Sequence, residues 1–309
     1  MNEDQREDGG GAGTLVVRLG YRGAGFAGFA RQPSERTVEG ELCRALETTL
    51  RREVELTCAG RTDAGVNALS QYVSLPVTAE ELELDGVRLL RSLVALTPDD
   101  VSIRGLYRAD AGFSARFDAT SRRYRYRISS GEARPVLAWD HAWWYRGQLD
   151  VDAMGEAATC LVGEHDFKSF CKAVSAVDKP TCRFVSLLEV TRVEEAGEKL
   201  VAVDVCGNAF LHNMVRTIVG TLVEVGRGHR RPSWVADVLA ASPYKLLGPH
   251  CGVLAADPAI LAQIHPDKLA PSPDRIPERF ELGTLPYELL AGTSAAIRFA
   301  SATMSSRGW

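Results

Sequence analysis

Twice along this chain, strand-like and helix-like stretches follow one another as strand, helix, strand, strand, helix, strand. The first series occupies residues 14–21 (TLVVRLGY), 37–52 (TVEGELCRALETTLRR), 54–60, 71–77, 87–96 and 101–108. The second occupies residues 122–128 (RRYRYRI), 150–163, 186–193, 200–207, 213–226 and 252–257. The helix at 37–52 rests on Thr37 as its cap and on Val38, Leu42, Ala45, Leu46, Thr49 and Leu50 forming one stripe. An order repeated without visible sequence repetition implies an α+β fold of two halves with mainly antiparallel sheets, spanning residues 14–108 and 109–258. Residues 1–13 read as a flexible tail. Residues 259–309 read as an irregular extension, with a short helix around Tyr287–Ala291, because the stretch from Pro258 to Pro286 holds six of the fourteen prolines and no periodicity.

Composition excludes several classes of protein. With 309 residues at 45% hydrophobic there is ample core material, but no run of 18 apolar residues that would span a membrane. The first residues, MNEDQREDGGGAG, are acidic and Gly-rich, unlike a secretory signal. Seven cysteines (43, 58, 160, 171, 182, 206 and 251) form an odd number without any C-x-x-C. They read as reduced thiols of a cytoplasmic protein, not as a disulfide or zinc framework. Six scattered histidines give no paired spacing for a metal.

The net charge of −4 hides a strongly basic segment. Between Arg104 and Arg127 lie seven arginines (104, 108, 116, 122, 123, 125 and 127) against two acids, Asp110 and Asp118. In SRRYRYRI, period two puts Arg123, Arg125 and Arg127 on one face and Arg122, Tyr124, Tyr126 and Ile128 on the other. Arginines interleaved with aromatic rings suit RNA, giving phosphate contacts and stacking faces. A plain amphipathic strand accounts for the same pattern equally well.

Two loops ask for chemistry. Gly23-Ala24-Gly25-Phe26-Ala27-Gly28 matches the G-x-G-x-x-G of a dinucleotide site, but Gln32-Pro33-Ser34 intervenes before the helix that should begin inside those glycines. A flexible loop near a phosphate backbone fits better than an oxidoreductase cofactor site. The second loop is Cys58-Ala59-Gly60-Arg61-Thr62-Asp63-Ala64-Gly65-Val66-Asn67. Taken alone it fits a surface turn in which Asp63 pairs with Arg61. A carboxylate with an ordinary pKa near ~3.9 is also ionised at neutral pH, and so acts as a nucleophile without a general base.

CAGRTDAGVNALSQ, followed by FSARFDATSRRYRYRI, GEHDFKSF and GNAFLHNMVRTIVGTLVEVGRG, resembles the tRNA pseudouridine synthase A family, with its motifs in family order over residues 14–256. The resemblance implies two halves, each on a ferredoxin-like sheet, with the active site in the cleft between them. It implies isomerisation of uridine to pseudouridine at positions 38 to 40 of the tRNA anticodon arm. It further implies no cofactor and no metal, and a homodimer that grips one tRNA across both subunits.

Residue by residue, Asp63 matches the catalytic aspartate that attacks the nucleoside. Arg61 matches the arginine associated with flipping the target base, an extrusion of a few kcal/mol. Tyr124 matches the tyrosine that stacks on the flipped uracil. Arg216, in HNMVR, matches the arginine that pairs with the catalytic carboxylate; without the motif it reads as a helix-surface arginine. Leu211, with Phe210, matches an apolar wall beneath the base, and core packing explains that pair as well. Arg31, Arg123 and Arg125 are the expected RNA contacts. A non-catalytic binder of structured RNA is the rival reading, and retention of Asp63, Arg61, Tyr124 and Arg216 together favours the enzyme.

Several positions depart from the family pattern. Phe29-Ala30 precede Arg31-Gln32 where Trp-Gln is common, Asn67 replaces a usual histidine, and Arg22 stands where aspartate is frequent. Val94-Ala95-Leu96-Thr97-Pro98 stands for N-A-N-L-P, and the segment from Leu246 to Cys251 is a shortened A-G-P-T-A-P-A. The expected effect of these changes is on the grip on tRNA.

Overall fold

The computed structural model describes residues 11–171 and 180–240. The expected strand at 252–257, the short helix at 287–291 and the departure at 246–251 lie outside the described residues. The described chain forms an α+β architecture in two compact units. One comprises the described residues up to Arg123 with Arg127–Tyr145 and Glu194–Leu200. The other comprises Tyr124–Tyr126, Arg146–Val193 and the described residues from Val201 onward.

In the first unit, β1 (Gly13–Tyr21), β2 (Thr57–Cys58), β3 (Ala68–Val77) and β4 (Val101–Ala109) make a four-stranded sheet in the order β2-β3-β1-β4. β1 pairs antiparallel with both β3 and β4. Alternation along β1 turns Val17 and Leu19 into the core with α1 (Val38–Leu50) and α3 (Gly86–Leu96), where Leu42, Leu46 and Leu93 are fully buried. Each such side chain removed from water contributes about 1.5–3 kcal/mol. Thr37 caps α1 by accepting from the Gly40 N–H at 3.2 Å, as its sequence indicates, and Asp85 caps α3 through the N–H of Val87. The short helix α2 (Ala79–Leu82) carries a full capping box between Thr78 and Glu81. The expected strand at 54–60 is a correction. Only Thr57 and Cys58 pair with β3, because the chain then turns away into the loop that carries Asp63.

The second sheet has the order β6-β5-β9-β8-β7, formed by β5 (Arg122–Ser130), β6 (Trp143–Tyr145), β7 (Gly163–Asp166), β8 (Cys182–Glu195) and β9 (Glu198–Gly207). The helices here are α4 (Val151–Ala158), α5 (Met214–Gly226) and α6 (Trp234–Ala240). β8 and β9 join through Ala196 and Gly197, both with positive φ (52° and 80°), a two-residue reversal that dictates antiparallel pairing. β6 is parallel to β5, an element without sequence warning. The helix expected over 150–163 stops at Ala158 and tightens into a 3-10 turn over Thr159–Leu161, and β7 follows. All six described cysteines are free thiols.

Candidate active site

The segment from Ala59 to Asn67 joins β2 to β3 and is pinned along most of its length. The Ala59 N–H donates to the Tyr72 carbonyl at 2.9 Å. The Gln71 amide donates to the Gly60 carbonyl at 2.5 Å. Thr62 is held twice, its carbonyl accepting from the Phe29 N–H at 2.9 Å and its hydroxyl meeting the Tyr21 hydroxyl at 2.7 Å. The Val66 N–H closes back on the Asp63 carbonyl at 3.3 Å, with Gly65 at φ 77°. Arg61 and Asp63 stand exposed on this braced loop. A carboxylate fixed by its backbone and open to solvent has the placement that a nucleophile needs.

The glycine-rich stretch Gly23–Gly28 turns out to be the scaffold of that loop. Gly23 and Gly25 bound a 3-10 turn instead of opening a helix, which removes the dinucleotide-site reading. The Gly23 N–H donates to Asn67 Oδ1 at 2.7 Å, and a Cβ at Gly23 would collide with the Val66 carbonyl. Gly28, at φ 121°, passes close to Thr62. Arg36 fastens the stretch from behind: its guanidinium grips Asp100 at 2.7 and 2.8 Å and lies 4.2 Å over the Phe26 ring. Hydrogen bonding from Arg36 holds the Asp100 carboxyl below its ordinary range. Burial pushes the Cys58 thiol up, so this thiol is no rival nucleophile.

Gly23→Ala is therefore expected to leave the melting temperature within a few degrees while lowering kcat about tenfold to a hundredfold, because the methyl group must move Val66 and with it the Asp63 loop. Steady-state kinetics would settle this, and a parental kcat would show that the close approach has no bearing on the loop.

Arg122 is a further brace that reading by motif missed. Its Nε and Nη2 donate to the Ala59 carbonyl at 3.0 and 2.9 Å, Nη2 also to the Arg116 carbonyl at 2.6 Å, and Nη1 to the Ala119 carbonyl at 3.2 Å. One guanidinium thus ties the start of the Asp63 loop to the segment entering β5. The signal for it was only the period-two pattern, which separates Arg122 from Arg123 and Arg125. Asn67 and Phe29, departures from the family pattern, also have structural roles here. Asn67 anchors Gly23, and Phe29 is fully buried 6.2 Å from the Tyr21 ring.

In the other unit, Tyr124 meets Phe210 edge to face, with ring centroids 5.1 Å apart and planes at 89°. The segment leading from β9 to α5 is fixed by Asn208, which donates to and accepts from the main chain of Phe184 at 3.0 and 3.1 Å. Gly207 is required there, since a Cβ would come within 2.8 Å of the Phe184 carbonyl. Leu211 is half-buried, its carbonyl receives the Met214 N–H at 3.0 Å, and Asn213 enters α5 with φ 64°. Arg216 follows on the exposed face of the first turn of α5.

The expected RNA-contacting arginines differ in their surroundings. Arg31 is exposed, with its N–H on the Glu39 carboxylate at 2.7 Å. Arg123 is exposed on β5. Arg125 instead clamps Asp204, a buried carboxylate, through three contacts of 2.8 to 3.1 Å. Arg127 pairs with Glu195 at 2.6 Å.

The chain as a whole is similar to a class known from other proteins. Residues 157–265 match the family model described as tRNA pseudouridine synthase. The chain is 42% identical over 236 residues to the tRNA pseudouridine synthase A of Streptomyces avermitilis, covering 74% of this chain and 81% of that one. It is 43% identical over 223 residues to the protein of that name from Brevibacillus brevis (72% and 88% covered), and 40% over 226 residues to that of a Shewanella species (73% and 84%). The chain belongs to the tRNA pseudouridine synthase A family.

Proposed function

We propose that this protein isomerises uridine to pseudouridine at positions 38 to 40 in the anticodon arm of tRNA, with Asp63 as the nucleophile. The observation that carries this reading is the family relationship, at 40% identity or more across nearly three quarters of the chain. The isomerisation breaks the bond from C1′ of the ribose to N1 of uracil and forms one from C1′ to C5. A proton leaves C5 and one reaches N1, so nothing is oxidised or reduced. The Asp63 carboxylate attacks C1′ as the first bond breaks, and the freed uracil turns and re-attaches through C5, displacing the carboxylate from C1′. Arg61 takes the place of the extruded base, Tyr124 stacks on the flipped uracil with Leu211 as an apolar neighbour, and Arg216 keeps the carboxylate ionised. Arg31 and Arg123 contact the RNA backbone.

The working form in this proposal is a homodimer in the cytoplasm that holds one tRNA across both subunits. No helix among the described residues is long and apolar enough to cross a membrane. The test is chemical mapping of pseudouridine in tRNA from cells lacking the gene, before and after incubation with the purified protein. New pseudouridine at positions 38 to 40 is the expected result. A product elsewhere in the tRNA, or none, overturns the assignment.

A further inference from the structure

The arginines of the basic segment are unequal in what they already hold. Arg125 and Arg127 are committed to carboxylates, Arg122 to three carbonyls, and Arg108 to the Leu84 carbonyl at 2.7 Å. Arg104 is exposed and has no carboxylate partner among the described residues. Arg18, half-buried, likewise has no carboxylate partner among the described residues, its Nε meeting the Ser70 hydroxyl at 2.9 Å. Both lie on the first sheet. Val17 and Leu19 point into the helix-covered core, so Arg18 between them points to the opposite face.

On that face the neighbours of Arg18 are Tyr72 across β3 and Gly105 across β4. Arg104 is the extra residue of a bulge, falling between the pairs Arg18–Gly105 and Leu19–Ile103. Its side chain lies across Gly20, where a Cβ would come within 2.9 Å of Arg104 Nε. The Tyr107 ring folds back across Gly105 in the same manner, its hydroxyl 2.9 Å from where a Cβ would stand. Two glycines thus seat a cation and a ring flat against the sheet. Tyr72 remains 38% exposed and Tyr107 48%, so their faces are available to a ligand. Cations lacking carboxylates beside open aromatic rings are complementary to a polyanion with flat bases.

We propose that the exposed part of the face opposite α1 and α3, around Arg18, Tyr72, Arg104 and Tyr107, is a track for unpaired RNA, with Arg18 and Arg104 on phosphates and bases stacked on Tyr72 and Tyr107. Beyond it Val16 and Ser74 are buried, Ser74 accepting from the Ala115 N–H at 3.0 Å. This rests on the reading that the chain acts on tRNA, and it places RNA contacts on β1, β3 and β4 in addition to β5. The test is equilibrium binding of tRNA by the full chain across a salt series. Arg18→Gln with Arg104→Gln is expected to reduce the slope of log affinity against log salt by about 1.5, two contacts at roughly 0.7 to 0.9 each. Tyr72→Ala with Tyr107→Ala is expected to weaken binding about tenfold or more without changing the slope.

Ultraviolet cross-linking of the unmutated protein to tRNA carrying 4-thiouridine, followed by peptide mapping, is expected to mark the peptides of Tyr72 and Tyr107. It decides the matter if a variant fails to fold. Parental affinity and slope in folded variants, or cross-links confined to other peptides, overturn the track. So does a change of sedimentation mass with unchanged tRNA affinity, which would make this face a contact for a second copy. If the unmutated protein forms pseudouridine while these results fail, only the track falls. If it forms none, the functional reading itself is overturned.

Discussion

Asp63→Asn should melt at the parental temperature, bind tRNA with parental affinity and form pseudouridine roughly 10⁴-fold more slowly or not at all. An amide has nearly the shape of the carboxylate but neither its charge nor its nucleophilicity. The contacts that fix the loop at Gly60, Thr62 and Val66 involve main-chain atoms or the Thr62 hydroxyl, and they remain available in the variant. Asp63→Glu supplies a graded comparison. It keeps the charge but pushes it outward by one methylene, and a displacement of that order costs about a hundredfold in rate. Single-turnover measurements with saturating enzyme separate chemistry from binding. Substantial single-turnover product from Asp63→Asn would remove the nucleophile from this account.

The second large effect is on stability. Arg125→Ala leaves Asp204, whose side chain is only 6% exposed, without its guanidinium. Breaking a fully buried pair costs about 3–5 kcal/mol, and because the Arg125 side chain is 39% exposed the loss here should be nearer about 2–3 kcal/mol. Denaturant midpoints would read this directly. Replacing both partners, as Arg125→Met with Asp204→Leu, should recover most of the loss, since no buried charge is then left unpaired. A single variant as stable as the parent would show that Asp204 finds another way to be solvated. The same measurement bears on RNA binding: a weakened tRNA affinity in Arg125→Ala must be judged against folded protein only, because this arginine already has a partner.

Much of this architecture was legible before any coordinates. The first strand and helix follow from the apolar run in TLVVRLGY, buried on both faces, and from the stripe beginning at Val38. The family motifs likewise singled out the loop of Asp63 and the segments around Tyr124 and Arg216 as the candidate site. What period two cannot reveal is the residue across the sheet. It placed Arg125 on the face of Arg123 but had no means of finding Asp204, 79 positions later. The three-residue β6 was invisible for a related reason, since Trp143–Tyr145 is too short to show alternation and pairs parallel. The glycines at 23–28 match G-x-G-x-x-G because that pattern records close approach at the backbone, without saying what does the approaching to Gly23. Here it is the carbonyl of Val66.

The Arg122 guanidinium has a thermodynamic consequence. Because one side chain holds the carbonyls of Ala59, Arg116 and Ala119, these stretches cannot loosen independently. They form a single cooperative opening unit, with one free energy governing exposure of the loop before Asp63 and of the approach to β5. Amide hydrogens in both stretches that rely on this brace would then exchange with solvent at matched rates, although some sixty residues of sequence separate them. Order in the loop before Asp63 is in this way coupled to order on the approach to β5.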